Sequence, residues 1–458
     1  MLGRKQAEEL LENVLLLSPT QETEAILLGL DEQLTRFANN TIHQHVAETN
    51  RYVVVRAVVG KRTGVAATND LTQSGLQHLV ETAARAAELN PEDPGFPGLP
   101  EPRAVPQVDA FDAPTAACSP AQRAAPVAVV CRRAAESGCI ASGAFRTSVH
   151  EFAVANSRGQ HSDLFVHHPA TAADLTIVVM TDDSSGYAAD ASWRVEDVDV
   201  VARGQEAIDK ALRGRHPQAV DPGVYPVVLE PYAVHDILAT LCGAAGANPV
   251  QEGRSWMSGR LDARLMSPLI AIWDDGLDPA GWPLPFDFEG MPRQRVDIVR
   301  DGAVGRPVYD RHRAAEEEDR RTTGHALPPA NPFSPWLNAA RIGPMPLHRF
   351  MAPGETPIEE MIAGTERGLY VTRFWYTRTV HPREALITGM TRDGTFLIED
   401  GEIAAPVRNL RFTQSYVEAL RGAQAVGDRP HLLWTDPGIL SAPALKLEAF
   451  HFTGTTDV

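Results

Sequence analysis

The chain has 458 residues, of which 43% are hydrophobic and 22% are charged, and its formal net charge is −17 at pH 7. This composition is typical of a globular protein, and the length predicts two domains of ordinary size or one large domain. An acidic surface offers no counter-charge to a nucleic-acid backbone or an anionic membrane, so we expect neither as the main partner. No uninterrupted apolar stretch reaches the length of a membrane-spanning helix.

The first residues and the cysteines both bear on the cellular compartment. In residues 1–17, MLGRKQAEELLENVLLL, acidic residues interrupt the apolar positions and no small-residue cleavage site follows, which predicts an amphipathic helix and no signal peptide. The four cysteines are too few and too scattered for a disulfide scaffold, and none forms a CxxC pair. We therefore expect a cytoplasmic protein.

The N-terminal residues up to Leu89 predict a helix, several strands and a second helix. The helices are expected at Arg4–Leu16, where apolar residues share one face, and at Leu71–Leu89, after a capping Asn-Asp pair. An acidic turn is expected between the first two strands, because charged residues there interrupt the apolar pattern. The predicted strands are Glu24–Gly29, Leu34–Ala38, Thr41–Ala47, Tyr52–Val59 and Gly64–Thr68.

A proline-rich crossing and a second unit of the same order follow. Residues 90–114 hold seven prolines and two glycines, which predicts a linker or a surface crossing outside any sheet. We prefer one domain that wraps a single sheet over an internal repeat. The second unit has predicted helices at Pro120–Ser137 and Val195–Arg213 and predicted strands at Cys139–Thr147, His150–Asn156, Gln160–His168 and Ala172–Met180.

The pattern of apolar and turn-forming residues changes at about Gly223. Short apolar runs alternate with Pro- and Gly-rich turns, and Glu399-Asp400-Gly401 is a strong hairpin signal. The sequence therefore predicts an α+β fold. Residues 1–222 would form an N-terminal α+β domain with antiparallel meanders and flanking helices. Residues 223–458 would form a C-terminal, largely β domain with one buried helix.

That buried helix is predicted to start at Pro231, directly after an apolar strand. Proline suits the first turn of a helix, and apolar residues recur after it at helical spacing. His235 and Asp236 would lie near the start of the helix. A metal-dependent hydrolase needs two ligands on one helix face and a carboxylate beside them. Here a histidine and a carboxylate are present, but no second histidine follows one turn later.

Two interpretations of His235 and Asp236 stay open. They could be a surviving metal ligand or a catalytic base at a helix N-terminus. They could equally be a carboxylate that favours the helix dipole and a polar residue satisfied in a cleft. The pattern alone favours the second interpretation, since a catalytic zinc ion commonly takes three protein ligands.

Three other constellations have functional and structural interpretations. His150-Glu151 resembles the start of HExxH, but it lies in an alternating, strand-like stretch, so we interpret it as structural. His325 follows Gly324 in a loop, and loops often carry sites. Asp287 and Glu289 flank Phe288 and could share a metal or a proton, although capping a turn is the favoured interpretation. Substrate-binding candidates are therefore His325, Gly324 and Asp287; catalytic candidates are His235, Asp236 and His325.

The order of several motifs is similar to that of the TldD/PmbA family, the two-subunit peptidases also called TldD/TldE, over nearly the whole chain. Each motif is weak alone, and together they are specific. They are Leu34–Asn40 (LTRFANN), Gly64–Asp70 (GVAATND), Asn156–Gly159 (NSRG), Phe286–Gly290 (FDFEG), Arg295–Gly302 (RVDIVRDG), Thr323–Ala326 (TGHA), Gly368–Thr372 (GLYVT), Leu397–Ile403 (LIEDGEI) and the pair Pro406-Val407.

The resemblance implies a subunit type. TldD-type members carry HExxxH on the helix that here begins at Pro231, together with a late cysteine, and they bind zinc. The matching positions here are His235, Asp236 and Thr240, and no cysteine follows Cys242. The chain thus resembles the PmbA/TldE-type subunit, which implies no metal site of its own, zinc in a TldD-type partner, and an extended peptide as substrate.

Three hypotheses follow for function. The first is a subunit, without its own metal, of a heterodimeric zinc metallopeptidase that cleaves extended or unfolded peptides in an enclosed chamber. The second is an autonomous metal-dependent hydrolase whose rearranged site uses His235, Asp236 and His325. The third is a non-catalytic peptide-binding dimer. We rank them in this order, and a homodimer is the alternative to the heterodimer.

Overall fold

The computed structural model describes residues 1–158, 162–335, 337–435 and 438–456. Its N-terminal part holds five helices and six strands within those ranges. The helices are α1 (Arg4–Leu17), α2 (Gln73–Leu89), α3 (Ala113–Ala116), α4 (Pro120–Glu136) and α5 (Val200–Arg213); the strands are β1 (Glu22–Ala38), β2 (Thr41–Val59), β3 (Arg62–Thr68), β4 (Ile140–Arg158), β5 (Ser162–Met180) and β6 (Ser185–Ser192).

All six strands form a single antiparallel sheet with the order β3-β2-β1-β4-β5-β6. The two halves join where β1 pairs with β4, for example at Leu27 and Ala153. The preference for one sheet over an internal repeat agrees with this pairing. Residues 90–112 form no helix or strand, as the proline content predicts.

The predicted breaks within the strands are wrong. An acidic turn was expected at Asp31 and Glu32, but both residues lie within β1. The strand is continuous there because it is hydrogen-bonded to β2 on one side and to β4 on the other. Asp31 pairs with Arg51, and Glu32 pairs with Arg146, so their charges do not interrupt the sheet. β2, β4 and β5 are likewise continuous through expected breaks. Gly159, the last residue of the NSRG motif, lies outside the described residues.

Successive side chains of a strand point to opposite faces of a sheet, and the two faces of this sheet contact different parts of the chain. One face carries Leu27, Val53, Val55 and Ala153, which pack with residues of α1 and α2. The other face carries Ile26, Leu28, Val54 and Val154, which pack against Phe286, Phe288 and Met291 from the C-terminal part. The C-terminal part therefore covers the sheet face that the helices leave open.

The C-terminal part contains the remaining elements. The helices are α6 (Pro231–Gly243), α7 (Ala247–Gln251), α8 (Arg311–Ala315), α9 (Ala339–Ile342), α10 (Ile358–Ala363) and α11 (Tyr416–Arg421); the strands are β7 (Gly223–Leu229), β8 (Ile272–Asp274), β9 (Val296–Arg300), β10 (Ala303–Val304), β11 (His348–Met351), β12 (Arg367–His381), β13 (Leu386–Glu399), β14 (Glu402–Pro406), β15 (Leu410–Ser415), β16 (Ala423–Val426), β17 (His431–Trp434), β18 (Ile439–Ala442) and β19 (Leu445–Thr455).

These strands form two further sheets. One is open, with the order β10-β9-β8-β11-β18-β17. In the other, β12, β7, β19, β15 and β13 close into a ring, because β13 pairs with both β15 and β12. The predicted hairpin is confirmed: it joins β13 to β14, and Asp400 and Gly401 both have positive φ angles. The α+β fold class is confirmed.

Helix α6 lies in the main core of this part, as the sequence predicts. Its residues Val234, Ile237, Leu238, Leu241 and Cys242 are fully buried and cluster with residues of the closed ring. Burial of each such aliphatic side chain stabilises the fold by roughly 1.5–3 kcal/mol. None of the helices in the described ranges has the length and apolarity of a membrane-spanning segment.

Candidate functional site

His235 lies on the first turns of α6 and is almost completely buried. Its Nε2 lies 2.9 Å from the carbonyl oxygen of His431 on β17, and since a carbonyl only accepts, Nε2 carries the proton and donates it. Burial, with a smaller contribution from His431, lowers the pKa of His235 to about 3. The imidazole is therefore neutral near pH 7 and its Nε2 is already engaged.

Asp236 is bound by two hydroxyl groups of the same chain. Its Oδ1 accepts from Tyr416 at 2.5 Å, and its Oδ2 accepts from Thr377 at 2.8 Å. Burial raises the pKa of this carboxyl group, and the two hydroxyl donors oppose the rise. Both carboxylate oxygens thus have partners within the fold.

The side chains of His235 and Asp236 do not provide the ligand set of a catalytic zinc ion. Thr240 stands one turn after Asp236, where a second imidazole would be needed. Nε2 of His235 and both oxygens of Asp236 are engaged by the chain's own groups, whereas Nδ1 of His235 has no hydrogen-bond partner among the described residues. Among the described residues, no group of three or more His, Cys, Asp or Glu side chains is placed to hold a metal ion. The described side chains at α6 therefore lack the three protein ligands that a catalytic zinc ion commonly takes.

A pocket of about 490 Å³ opens over His235 and Asp236. The guanidinium of Arg373 crosses it, 4.0 Å from the ring centre of Tyr187 and 4.9 Å from that of Trp375. Trp375 and Tyr376 are 39% and 66% exposed. Exposed rings with an ordered arginine can hold the apolar and carbonyl groups of an extended chain. We call this the α6 pocket.

The predicted residue His325 lies elsewhere, in a second buried cluster. Its Nε2 lies 2.8 Å from Oδ1 of Asp274, and both side chains are fully buried. Burial opposes ionisation of Asp274, but the attraction of His325 and its hydrogen bond outweigh burial and lower the pKa of Asp274 to about 2. The pair is an internal support with no exposed surface.

Asp287 and Gly324 join this second cluster. Asp287 accepts from the backbone amides of Glu289 and Met291 at 3.0 Å each and from the amide of Ala326 at 2.9 Å. Gly324 has a φ of +75°, and a Cβ there would lie 2.3 Å from the carbonyl oxygen of Pro292. The structure thus brings Asp287, Gly324 and His325 together, and their burial supports a role in holding two loops. Their contact with substrate stays a prediction.

Several residues of both clusters carry no clear sequence signal. His431, which accepts from His235 through its backbone, is an isolated histidine in a short strand. Asp274 does have a usable signal, since it is an acidic residue at the end of a short apolar strand. His348 is also isolated in the sequence, yet it is 1% exposed, and neither ring nitrogen has a partner among the described residues.

A larger cavity of about 550 Å³ lies between the N-terminal sheet and the C-terminal part. Its floor is the sheet face of β1, β4 and β5, and its other wall includes Trp282, His348 and Trp434. Thr435 lines both this cavity and the α6 pocket, so the two spaces adjoin at the end of β17. We call it the interdomain cavity.

Two family models match the chain. Residues 222–454 match the PmbA/TldA metallopeptidase C-terminal domain, and residues 29–87 match the PmbA/TldA metallopeptidase domain 1. The chain belongs to the PmbA/TldD metallopeptidase family. The resemblance seen in the sequence motifs is therefore confirmed at the level of the family.

Similar proteins carry metalloprotease names. A metalloprotease TldD homolog of Haemophilus influenzae is 24% identical over 277 residues, which cover 57% of this chain and 54% of that protein. A metalloprotease of Synechocystis is 24% identical over 258 residues, 53% of this chain and 50% of that protein. The chain thus spans about half the length of the curated relatives it matches.

The fold is shared over almost the whole chain with solved structures. TldE from Thermococcus kodakarensis superposes with a TM-score of 0.86 at 21% identity, covering 98% of this chain and 100% of that one. A proposed modulator of a DNA gyrase from Thermotoga maritima gives a TM-score of 0.85 at 18% identity, with the same coverage. These similarities show that the chain shares its fold with both proteins over almost its whole length.

Proposed function

We propose that this chain is the subunit without a catalytic zinc in a two-subunit, cytoplasmic zinc peptidase of the PmbA/TldD family. A TldD-type partner would supply the zinc and the HExxxH glutamate. The observation that carries this proposal is at α6, where Nε2 of His235 and both oxygens of Asp236 are engaged internally and Thr240 replaces a second imidazole.

In this proposal the chain contributes binding surface. The α6 pocket and the interdomain cavity adjoin at Thr435 and together offer space for an extended peptide. Main-chain hydrogen bonding accepts many sequences, so access to an enclosed space would select unfolded or extended chains. Cleavage would take place at the partner's zinc.

The autonomous hydrolase is less well supported. It requires His235, Asp236 and His325 to act together, yet His325 is fully buried and bonded to Asp274, in a different hydrogen-bonded cluster. The non-catalytic peptide-binding dimer uses the same two spaces, and it differs only in the lack of an active partner. Reconstitution of activity therefore separates it from the leading proposal.

The deciding experiment measures zinc by elemental analysis in the chain alone and after co-purification with a TldD-type chain, together with peptidase activity. We expect no stoichiometric zinc in the chain alone, about one zinc per heterodimer, and activity only in the heterodimer. The matched control is the same heterodimer with the HExxxH glutamate of the partner replaced by glutamine.

Each other outcome favours a specific alternative. Stoichiometric zinc in the chain alone would overturn the proposal, and its ligands would be sought by substituting His235, His325 and Asp287. A stable dimer that binds peptide but gains no activity with any TldD-type chain would favour the non-catalytic binding dimer.

A further inference from the structure

The interdomain cavity has an unequal balance of charge. Its charged lining residues, among those the structure describes, are Glu32, Arg146 and Asp174, all on the floor strands. Arg146 bonds Asp174 through Nε at 2.6 Å and Glu32 through a terminal nitrogen at 3.1 Å. One guanidinium therefore serves two carboxylates, which leaves an excess of one negative charge when both acids are ionised.

These three side chains face the cavity and are not sealed beneath it. Their exposed fractions are 27% for Glu32, 31% for Arg146 and 20% for Asp174. Burial raises the pKa of Asp174 even though Arg146 opposes the rise. The fold thus keeps a carboxylate in this cavity at an electrostatic cost, and an entering cation would reduce that cost.

The opposite wall carries a second, independent sign of a ligand. His348 is 1% exposed, lines the cavity, and has no hydrogen-bond partner for either ring nitrogen among the described residues. Burial and the nearby Arg293 lower the pKa of His348 to about 3, so its ring is neutral near pH 7. A neutral imidazole presents one donor and one acceptor, and a peptide unit offers the complementary pair.

The remaining walls suit an apolar stem. Phe152, Trp282, Phe288 and Phe333 line the space, and aromatic faces bind both alkyl chains and cations. The lining positions on β4 run from Arg146 to Phe152, a distance of about 20 Å at roughly 3.3 Å per residue. That length accommodates a short extended segment of peptide.

We propose that the interdomain cavity is a subsite for a basic residue of an extended peptide, with its ammonium or guanidinium group at Glu32 and Asp174 and its backbone at His348. The inference rests on the proposed function in that its occupant is a peptide. It adds a substrate class, namely peptides that carry lysine or arginine. The junction at Thr435 would allow such a peptide to continue into the α6 pocket.

The test is isothermal titration calorimetry on the chain alone at low ionic strength. The probes are blocked tetrapeptides, acetyl-Ala-Ala-Xaa-Ala-amide, in which Xaa is lysine, its uncharged analogue norleucine, or glutamate. We expect the lysine peptide to bind at least about tenfold more tightly than the norleucine peptide, and the glutamate peptide to bind most weakly. Added salt should reduce the preference for lysine.

Two variants locate the effect. Glu32→Gln removes one carboxylate but leaves the ion pair between Arg146 and Asp174 in place, so we expect the fold to be retained. The preference for the lysine peptide over the norleucine peptide should fall at least about fivefold. His348→Phe keeps an aromatic ring against Trp282 but removes the polar nitrogens. It should therefore weaken the binding of the lysine peptide and of the norleucine peptide by the same factor. The matched control is Glu12→Gln, an exposed acid of α1 on the helix-covered side, which should change neither affinity.

The outcomes separate this inference from the proposed function. Equal affinity for the three peptides, or a preference unchanged by Glu32→Gln, would overturn the subsite even if the heterodimer is an active zinc peptidase. A lysine preference that Glu32→Gln abolishes would establish the subsite even if no TldD-type chain gives activity. In the latter case the subsite stands and the catalytic proposal fails.

Discussion

His325 and Asp274 form a fully buried pair, with 2.8 Å between Nε2 and Oδ1. The other oxygen of Asp274 accepts from the backbone amide of His348 at 2.7 Å, so one carboxylate connects β8, β11 and the Gly324 loop. The cluster supports the wall of the interdomain cavity that His348 provides. Its own members have no solvent-exposed surface, and we expect its loss to act on stability.

Replacing His325 with leucine should lower the free energy of unfolding by about 3 kcal/mol, because the buried carboxyl group of Asp274 would lose its hydrogen bond to Nε2 of His325. Chemical denaturation measures this change. The control is His312→Leu, since His312 pairs with Asp93 at the surface and such pairs contribute about 0–1 kcal/mol. Equal costs for both variants would contradict the interpretation.

His348 should give a pH-dependent contribution to stability. Its folded-state pKa of about 3 lies below the unfolded value of about 6.5, so the unfolded chain binds a proton that the folded chain does not. Stability from this residue is complete above pH 6.5 and is lost as the pH falls. Relative to the parent, His348→Phe should therefore gain about 1 kcal/mol between pH 6.5 and 5.5.

The comparison must be made as a difference between variant and parent. Burial also raises the pKa values of Glu24 and Asp287 to about 7. These two groups increase the stability of the parent as the pH falls, which opposes the loss of stability caused by His348 in the same pH range. Denaturant midpoints at several pH values supply the measurement, and His43→Phe, at an exposed histidine, is the control. A difference for His348→Phe that does not vary with pH would refute the prediction.

Asp236→Asn tests whether the carboxylate at α6 is structural or catalytic. In the reconstituted heterodimer we expect kcat/KM to stay within about twofold of the parent, because the reaction would take place at the partner's zinc. Stability should fall by about 1–2 kcal/mol, since the NH2 group of asparagine would replace one of the two oxygens that accept from Tyr416 and Thr377, and that group only donates. A hundredfold loss of activity in a folded heterodimer would instead assign Asp236 a catalytic role.

Gly324→Ala should cost far more than a substitution at a glycine with the same backbone angle. Gly324 and Gly253 have φ values of +75° and +71°, but only at Gly324 would a Cβ meet another atom, 2.3 Å away in Pro292. We expect about 1–2 kcal/mol of strain for Gly253→Ala and at least about 3 kcal/mol for Gly324→Ala. Thermal unfolding of both variants gives the comparison.

Much of the local structure could be predicted from local patterns. Helices α1, α2, α4, α5 and α6 appear within a few residues of their predicted bounds, apart from α5, which begins five residues late after a short 3-10 turn. The strand breaks were wrong because the pairing of β1 with β2 and β4 overrides local turn signals. In the charged run 311–321, the helix α8 ends at Ala315, and Glu317 and Arg320 pair with each other in the loop that follows.

The sequence by itself determined the family, the buried α6 helix and the lack of a second histidine beside His235, because these depend on residue identity and on spacing along one element. Only the tertiary structure decided that Asp236 is bound by Tyr416 and that His325 is paired with Asp274, since these partners are 180 and 51 residues apart in the chain. The interdomain cavity also depends on long-range packing. Glu32, Asp174 and His348 face one space only because two sheets from distant segments meet there.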